Sequence, residues 1–120
     1  MRKKEISDPV HEQLPLSLAV FYVLFALAEG EKHGYAIMKE AETVSGGQFT
    51  MGPGTLYTTL QRLLELGLIE ETSTPSDSGR RRRCYRLSRS GRRLFEAELN
   101  RMESLVRSAQ RRKLAPHDAR

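Results

Sequence analysis

The chain has one cysteine, Cys84, and no tryptophan. A lone thiol excludes an internal disulfide and fits a reducing compartment. Long hydrophobic runs are also missing. The longest, Leu18–Ala28, covers 11 residues, too few to span a bilayer, and no secretory signal pattern precedes it. A soluble, cytoplasmic protein with no membrane partner is expected. Groupings that carry chemistry are equally scarce. His11, His33 and His117 are not spaced as metal ligands with Cys84 or with any carboxylate pair. Gly52-Pro53-Gly54 lacks the lysine and the length of a phosphate-binding loop. No nucleophile–base pairing is suggested, so neither an enzyme nor a cofactor or metal site is expected.

What is present is arginine, and it is unevenly placed. Residues 1–60 carry 5 basic and 7 acidic side chains, whereas residues 61–120 carry 15 and 8. The basic character of the chain (net charge +5) therefore lies in its second half, almost all of it as arginine. That asymmetry favours a polyanionic partner such as nucleic acid or an anionic surface. At 120 residues the chain is expected to be one domain, small enough for oligomerisation to help stabilise it.

Residues 1–13 are polar and charged and read as a flexible arm, whose Arg2, Lys3 and Lys4 could reach a phosphate backbone but more simply fray. Leu18–Ala28 is apolar on all sides, which predicts a helix covered on most faces, in part by a second subunit. A second helix is predicted from about Gly34 to Ser45, stopped by Gly46-Gly47. Phe49 and Met51, in the link that follows, are placed to plug the core. The third helix opens on Gly52-Pro53, with glycine as N-cap and proline at the first helical position, and closes at Gly67. Leu56, Leu60, Leu63 and Leu64 give it one buried face; Thr55, Thr58, Thr59 and Arg62 fall opposite. A short-chained hydroxyl face, nearly free of acid and ending in a guanidinium, is built like something that enters a DNA groove, although an ordinary solvated face would share the pattern. Two helices joined through a glycine-marked link, the second opening on proline, have the layout of a helix-turn-helix.

Leu68–Thr72 reads as a short strand, residues 73–79 as a turn cluster, and Arg80–Leu87 as a second strand. The resulting β-hairpin has an arginine-loaded tip (Arg80, Arg81, Arg82 and Arg83) and stands as a wing beside the third helix. Contacts from such arginines to phosphates would position the protein without specifying sequence. Ser88 is a good N-cap for a final helix, along which Phe95, Leu99, Met102, Val106 and Ala109 recur as a seam over two heptads. Two heptads suffice to pair with a second copy or with the apolar first helix. The expected fold is mainly α with a small β-hairpin. It comprises a winged helix-turn-helix over residues 14–88, a C-terminal dimerisation helix over 89–112 and a disordered tail over 113–120.

With Leu14-Pro15-Leu16, Lys32-His33-Gly34-Tyr35, Gly52-Pro53-Gly54-Thr55-Leu56-Tyr57, Gly67-Leu68-Ile69 and Tyr85-Arg86-Leu87-Ser88-x-x-Gly91 in order, the chain resembles the PadR family of bacterial winged helix-turn-helix transcriptional regulators. The resemblance runs over roughly residues 14–112, and the single C-terminal helix matches the family's short members. It implies a homodimer binding an inverted-repeat operator in double-stranded DNA, usually as a repressor. By position, Thr55, Tyr57, Thr58 and Thr59 match the part of the motif that enters the major groove or touches its phosphates, and Arg82 and Arg83 match the basic wing. Arg81 extends that basic stretch, and Arg62, late on its helix, is expected on a phosphate. Phe21, Phe25, Phe95, Leu99, Met102 and Val106 are the expected dimerisation residues. Some members hold a small aromatic or cationic effector at the dimer interface. Here no tryptophan-lined pocket is available, so only Phe21, Tyr22, Phe25 and Phe95 could line one. Two further readings stay open from the residues alone: a winged-helix protein-interaction module without DNA, and a redox sensor through Cys84, flanked by Arg83 and Arg86.

Overall fold

A computed structural model describes residues 14–75 and 81–112, together with the backbone but not the side chains of Thr74, Pro75 and Arg81. The expected arm (1–13), the expected tail (113–120) and Arg80 lie outside the described residues. In chain order the elements are α1 (Leu18–Ala28), β1 (Lys32–His33), α2 (Gly34–Val44), α3 (Pro53–Glu65), β2 (Ile69–Pro75), β3 (Arg81–Leu87) and α4 (Arg89–Arg111).

Local chemistry sets each helix end. Ser17 caps α1, its hydroxyl accepting from the Val20 N–H at 3.2 Å. At the other end, Lys32 Nζ donates to the Ala26 carbonyl at 2.8 Å, satisfying a carbonyl that the helix leaves open. Both Gly46 (φ 65°) and Gly67 (φ 73°) occupy the left-handed region. At α3, the Gly67 N–H bonds the Leu64 carbonyl and the Leu68 N–H bonds the Leu63 carbonyl, at 3.0 and 2.9 Å. That is a Schellman closure, and it leaves Leu63 and Leu68 buried together.

The sheet is antiparallel in the order β1–β3–β2. β2 and β3 pair from Ile69↔Leu87 to Pro75↔Arg81, so the strand expected to stop at Thr72 runs to Pro75. β1 was not expected. Its two residues pair with β3 as Lys32↔Tyr85 and His33↔Cys84, and no periodicity can signal an element so short.

The core collects Val23, Leu24 and Leu27 of α1, Ile37 and Ala41 of α2, and Leu56, Leu60 and Leu63 of α3. Leu68, Ile69, Tyr85, Leu94 and Phe95 close it from the sheet and α4. Phe49 stacks on Tyr22, with ring centroids 5.1 Å apart, so the α2–α3 link does plug the core.

α4 is seated by a tight joint at its first turn. Ser88 donates its N–H to the Leu68 carbonyl and its hydroxyl to the Gly67 carbonyl, while that hydroxyl accepts from the Gly91 N–H, at 3.1, 2.7 and 3.1 Å. Any Cβ on Gly91 would collide with the Leu68 carbonyl oxygen. The pairing of Gly67-Leu68 with Ser88-x-x-Gly91 is thus one structural unit. Farther along, Glu98 is buried at 1% exposure; it accepts from the Leu16 N–H at 3.1 Å and from Arg101 at 2.6 and 3.1 Å. Arg101 and the Leu16 N–H hold this carboxyl below its ordinary range, against the opposing effect of burial.

Candidate nucleic-acid interface

The outward side of α3 begins at a helix terminus without a side-chain cap. Gly52 makes no capping hydrogen bond. Pro53 has no N–H, so the open donors of the first turn start at Gly54, and a helix N-terminus of this kind favours an anion. Thr55 and Thr58 are exposed, and Tyr57 is 48% exposed.

Thr59 departs from expectation. It is only 9% exposed, and its hydroxyl donates to the Thr55 carbonyl one turn back, at 2.7 Å. The α3 face that reaches solvent is therefore narrower than the sequence pattern suggested, and Thr59 belongs to its buried edge. The reason is the hydroxyl's second option: a threonine can satisfy its oxygen on its own helix and turn its methyl inward.

Tyr57 is held from behind by α2. A Cβ on Gly34 would lie 2.6 Å from the Tyr57 hydroxyl and 3.2 Å from Leu56 Cδ2. Gly34 thus lets α2 and α3 approach while the phenol lies across it. Sequence reasoning assigned Gly34 no role; its signal was the His33-Gly34-Tyr35 and Leu56-Tyr57 motifs occurring together. Arg62 sits elsewhere, at a small cleft of about 160 Å³ that Leu16, Ser17, Val20, Leu66 and Leu94 also line. It is exposed and has no ion partner among the described residues.

Of the hairpin arginines whose side chains are described, Arg83 and Arg86 are paired. Arg83 contacts Glu71 through Nε–Oε2 (2.6 Å) and Nη2–Oε1 (3.3 Å), and Arg86 Nε contacts Glu70 Oε1 at 2.9 Å. The Glu71 carboxyl is lowered by this partner, and the Arg83 guanidinium is correspondingly held in its charged form. Arg82 is exposed and has no ion partner among the described residues. Arg81 begins β3, but its side chain lies outside the described residues. Cys84 is 5% exposed in the central strand, opposite Thr72 and His33. That is the setting of a packing thiol, and it gives no support to a redox sensor.

The expected dimerisation residues divide into two groups. Phe21, Phe25 and Phe95 pack on one another within one chain, with centroids 5.6–5.8 Å apart. Phe95 is buried there at 6% exposure, so the first position of the heptad seam is consumed by α1 of its own chain. Within the single chain these rings pack against one another, and Phe21 and Phe25 stay partly exposed. Beyond them, Leu99 (39%), Leu105 (57%) and Val106 (55%) stand exposed and Met102 is half-buried. Among the described residues no group of histidine, cysteine or carboxylate side chains could hold a metal ion, and no helix is long and apolar enough to cross a membrane.

A helix-turn-helix (α2–α3) followed by an antiparallel hairpin and packed on α1 defines a winged helix-turn-helix protein. Residues 23–97 match the model of the transcriptional regulator PadR-like family. The chain belongs to that family, whose members are transcriptional regulators and not enzymes. It is 35% identical over 86 residues to the transcriptional regulator Rv3488 of Mycobacterium tuberculosis, covering 72% of this chain and 77% of that protein. It is 41% identical over 87 residues to a 37.1 kDa protein in transposon TN4556 of Streptomyces fradiae, covering 72% of this chain but only 24% of that protein. Its fold is similar to that of Bacillus subtilis PadR, solved in complex with operator DNA, with a TM-score of 0.63 at 24% identity over 71% of this chain and 48% of that one.

Proposed function

We propose that this chain is a sequence-specific DNA-binding regulator that acts in the cytoplasm as a homodimer on an inverted-repeat operator, and represses by occupying it. One observation carries the reading. The uncapped start of α3 and its exposed Thr55, Tyr57 and Thr58 lie beside a hairpin whose Arg82, Arg83 and Arg86 are exposed. In this reading α3 enters the major groove, Thr55 and Thr58 meet base edges, and Tyr57, Arg82 and Arg83 hold phosphates. The operator complex of Bacillus subtilis PadR supports DNA as the partner.

Dimerisation in this reading uses the distal part of α4. Leu99, Leu105 and Val106 make an apolar ridge that one chain leaves uncovered, and Met102 lies along it. α4 is 23 residues long, about 34 Å at 1.5 Å per residue, so two copies have ample length to pair. Two α3 helices must then stand about 34–36 Å apart to read successive half-sites.

The test is selection of bound duplexes from fragments of the parent genome at physiological salt, followed by sedimentation of the complex. Enrichment of an inverted repeat bound by two chains is expected. Absence of any enriched duplex would instead favour a protein-interaction module.

A further inference from the structure

The Glu71–Arg83 pair is not a direct ladder pair. Glu71 stands opposite Tyr85, and Arg83 stands opposite Ser73. Directly opposed residues of an antiparallel pair share a face, so Glu71, Tyr85, Ser73 and Arg83 all lie on one side of the hairpin. Arg83 therefore leans diagonally back, away from the tip, to reach Glu71 with two N–H groups. A two-point contact fixes the plane of a guanidinium, and the remaining N–H groups stay available to a second acceptor.

This face adjoins the recognition helix. Tyr85 on this same face is buried against the helices, Tyr57 of α3 lies within electrostatic range of Arg83, and the Tyr57 hydroxyl lies beside Gly34. Both partners of the ion pair are exposed, and an exposed pair does little for folding. On a surface that meets a polyanion, a carboxylate is a liability unless it directs something. Arg82, on the opposite face of the strand, has no such tether among the described residues.

We propose that Glu71 is a positioning residue for DNA recognition, holding the Arg83 guanidinium at the junction of wing and recognition helix, where it meets an operator phosphate in the register that faces Thr55 and Thr58 to base edges. The proposal rests on the DNA-binding reading above. Its consequence is a trade. The carboxylate partly neutralises Arg83 toward DNA of any sequence, and it spares Arg83 the loss of rotamer freedom when the register is correct. Glu71 thus lowers non-specific affinity and raises the ratio of specific to non-specific binding.

The experiment uses the full chain and its Glu71→Gln, Glu71→Asp, Arg83→Ala and Glu71→Gln/Arg83→Ala variants. Each is titrated with a duplex that the unmodified protein selects from a randomised pool and with a scrambled duplex of equal length, over a series of salt concentrations. Glu71→Gln should tighten binding to scrambled DNA while lowering the selected-to-scrambled ratio about three- to tenfold. Glu71→Asp keeps the charge but is one methylene too short for the diagonal, so its ratio should fall as well. Glu71→Gln should not change the ratio once Arg83 is alanine. Should Glu71→Gln strengthen both duplexes alike, or Glu71→Asp match the unmodified protein, Glu71 contributes charge alone and the proposal is overturned. Should Arg83→Ala leave affinities and salt slopes unchanged, Arg83 is not on DNA and the proposal falls with that contact, while selection by the unmodified protein still upholds the broader reading. A pool that yields no enriched duplex overturns both.

Discussion

Gly91→Ala tests the joint that fixes α4 to the rest of the domain. The added methyl would strike the Leu68 carbonyl oxygen, 3.0 Å from its carbon, and would also lie 3.4 Å from Leu87 Cδ2. The obstacle is backbone closed into the α3 terminus by the Leu68 N–H to Leu63 carbonyl bond at 2.9 Å, so it cannot swing aside as a side-chain tip would. Relief must come from lifting the first turn of α4. That lift stretches the three Ser88 hydrogen bonds to Leu68, Gly67 and Gly91. Overpacking of this kind costs about 1–3 kcal/mol, and a weakened N-cap adds about 1 kcal/mol. Alanine's better helix propensity returns at most about 1 kcal/mol, so the net loss should be about 1–3 kcal/mol. Urea unfolding followed by circular dichroism, at one fixed protomer concentration because a dimer's stability depends on it, should show the midpoint falling by roughly 1 M at a slope of about 1–3 kcal/mol/M. A midpoint within error of the unmodified protein would refute the claim that the backbone there is rigid. Gly54→Ala is the control, since its added methyl meets nothing within 4 Å.

Other substitutions probe other surfaces. Arg82→Ala should weaken selected and scrambled duplexes alike and reduce the slope of log K against log salt by about 0.9 per phosphate contact, or roughly two for a dimer; an unchanged slope removes Arg82 from the interface. Thr58→Ala should instead cut the selected-to-scrambled ratio, by about fivefold or more per half-site, and an unchanged ratio removes it from base readout. Leu99→Glu should give folded monomers in sedimentation, because Leu99 is already 39% exposed in the single chain; an intact dimer would count against the α4 ridge. Glu98 has its pKa lowered below 4.5, chiefly by Arg101, so its contribution is present above that value and is lost as pH falls through the lower folded value. Glu98→Gln should therefore cost about 1–2 kcal/mol near neutral pH and flatten the acid limb of the stability curve. A limb as steep as before would mean that Glu98 is not the group titrating there.

Elements that announce themselves by punctuation were legible in the sequence. Gly52-Pro53, Gly67, Gly46-Gly47 and Ser88 all cap the helices that their chemistry implied. What stayed hidden depended on pairings across the chain. Lys32-His33 is a strand only because β3 lies beside it. Phe95 leads a regular heptad pattern, yet α1 takes it first, since a seam shows which face is apolar but not which neighbour covers it. Thr59 fits the polar face by periodicity and is withdrawn by a hydrogen bond inside its own helix. Nothing in the local sequence distinguishes Glu98 from the other charged residues of α4. Its burial follows from the return of Leu16 across α4, a separation of 82 residues that no local window spans.

These hidden pairings bear on how such a regulator could be switched. The distal ridge of α4 is fixed relative to α3 at one end by the Ser88–Gly91 joint on Gly67 and Leu68. Farther along, Glu98 ties α4 to Leu16, and the phenylalanine cluster ties it to α1. Three attachments spread along the helix prevent α4 from pivoting about any one alone. Within a dimer built on that ridge, the separation of the two α3 helices is then set by rigid subunits and by the contact between them. Moving the recognition helices away from one DNA turn would require either breaking one of these attachments inside a chain or sliding the ridges across each other. The first exposes a buried carboxylate or aromatic cluster, at a cost of several kcal/mol. The second exchanges one set of exposed leucine and valine contacts for another. An effector of modest differential affinity acting on such a dimer could drive only the second, and would leave the wing and the α3 face unchanged within each chain.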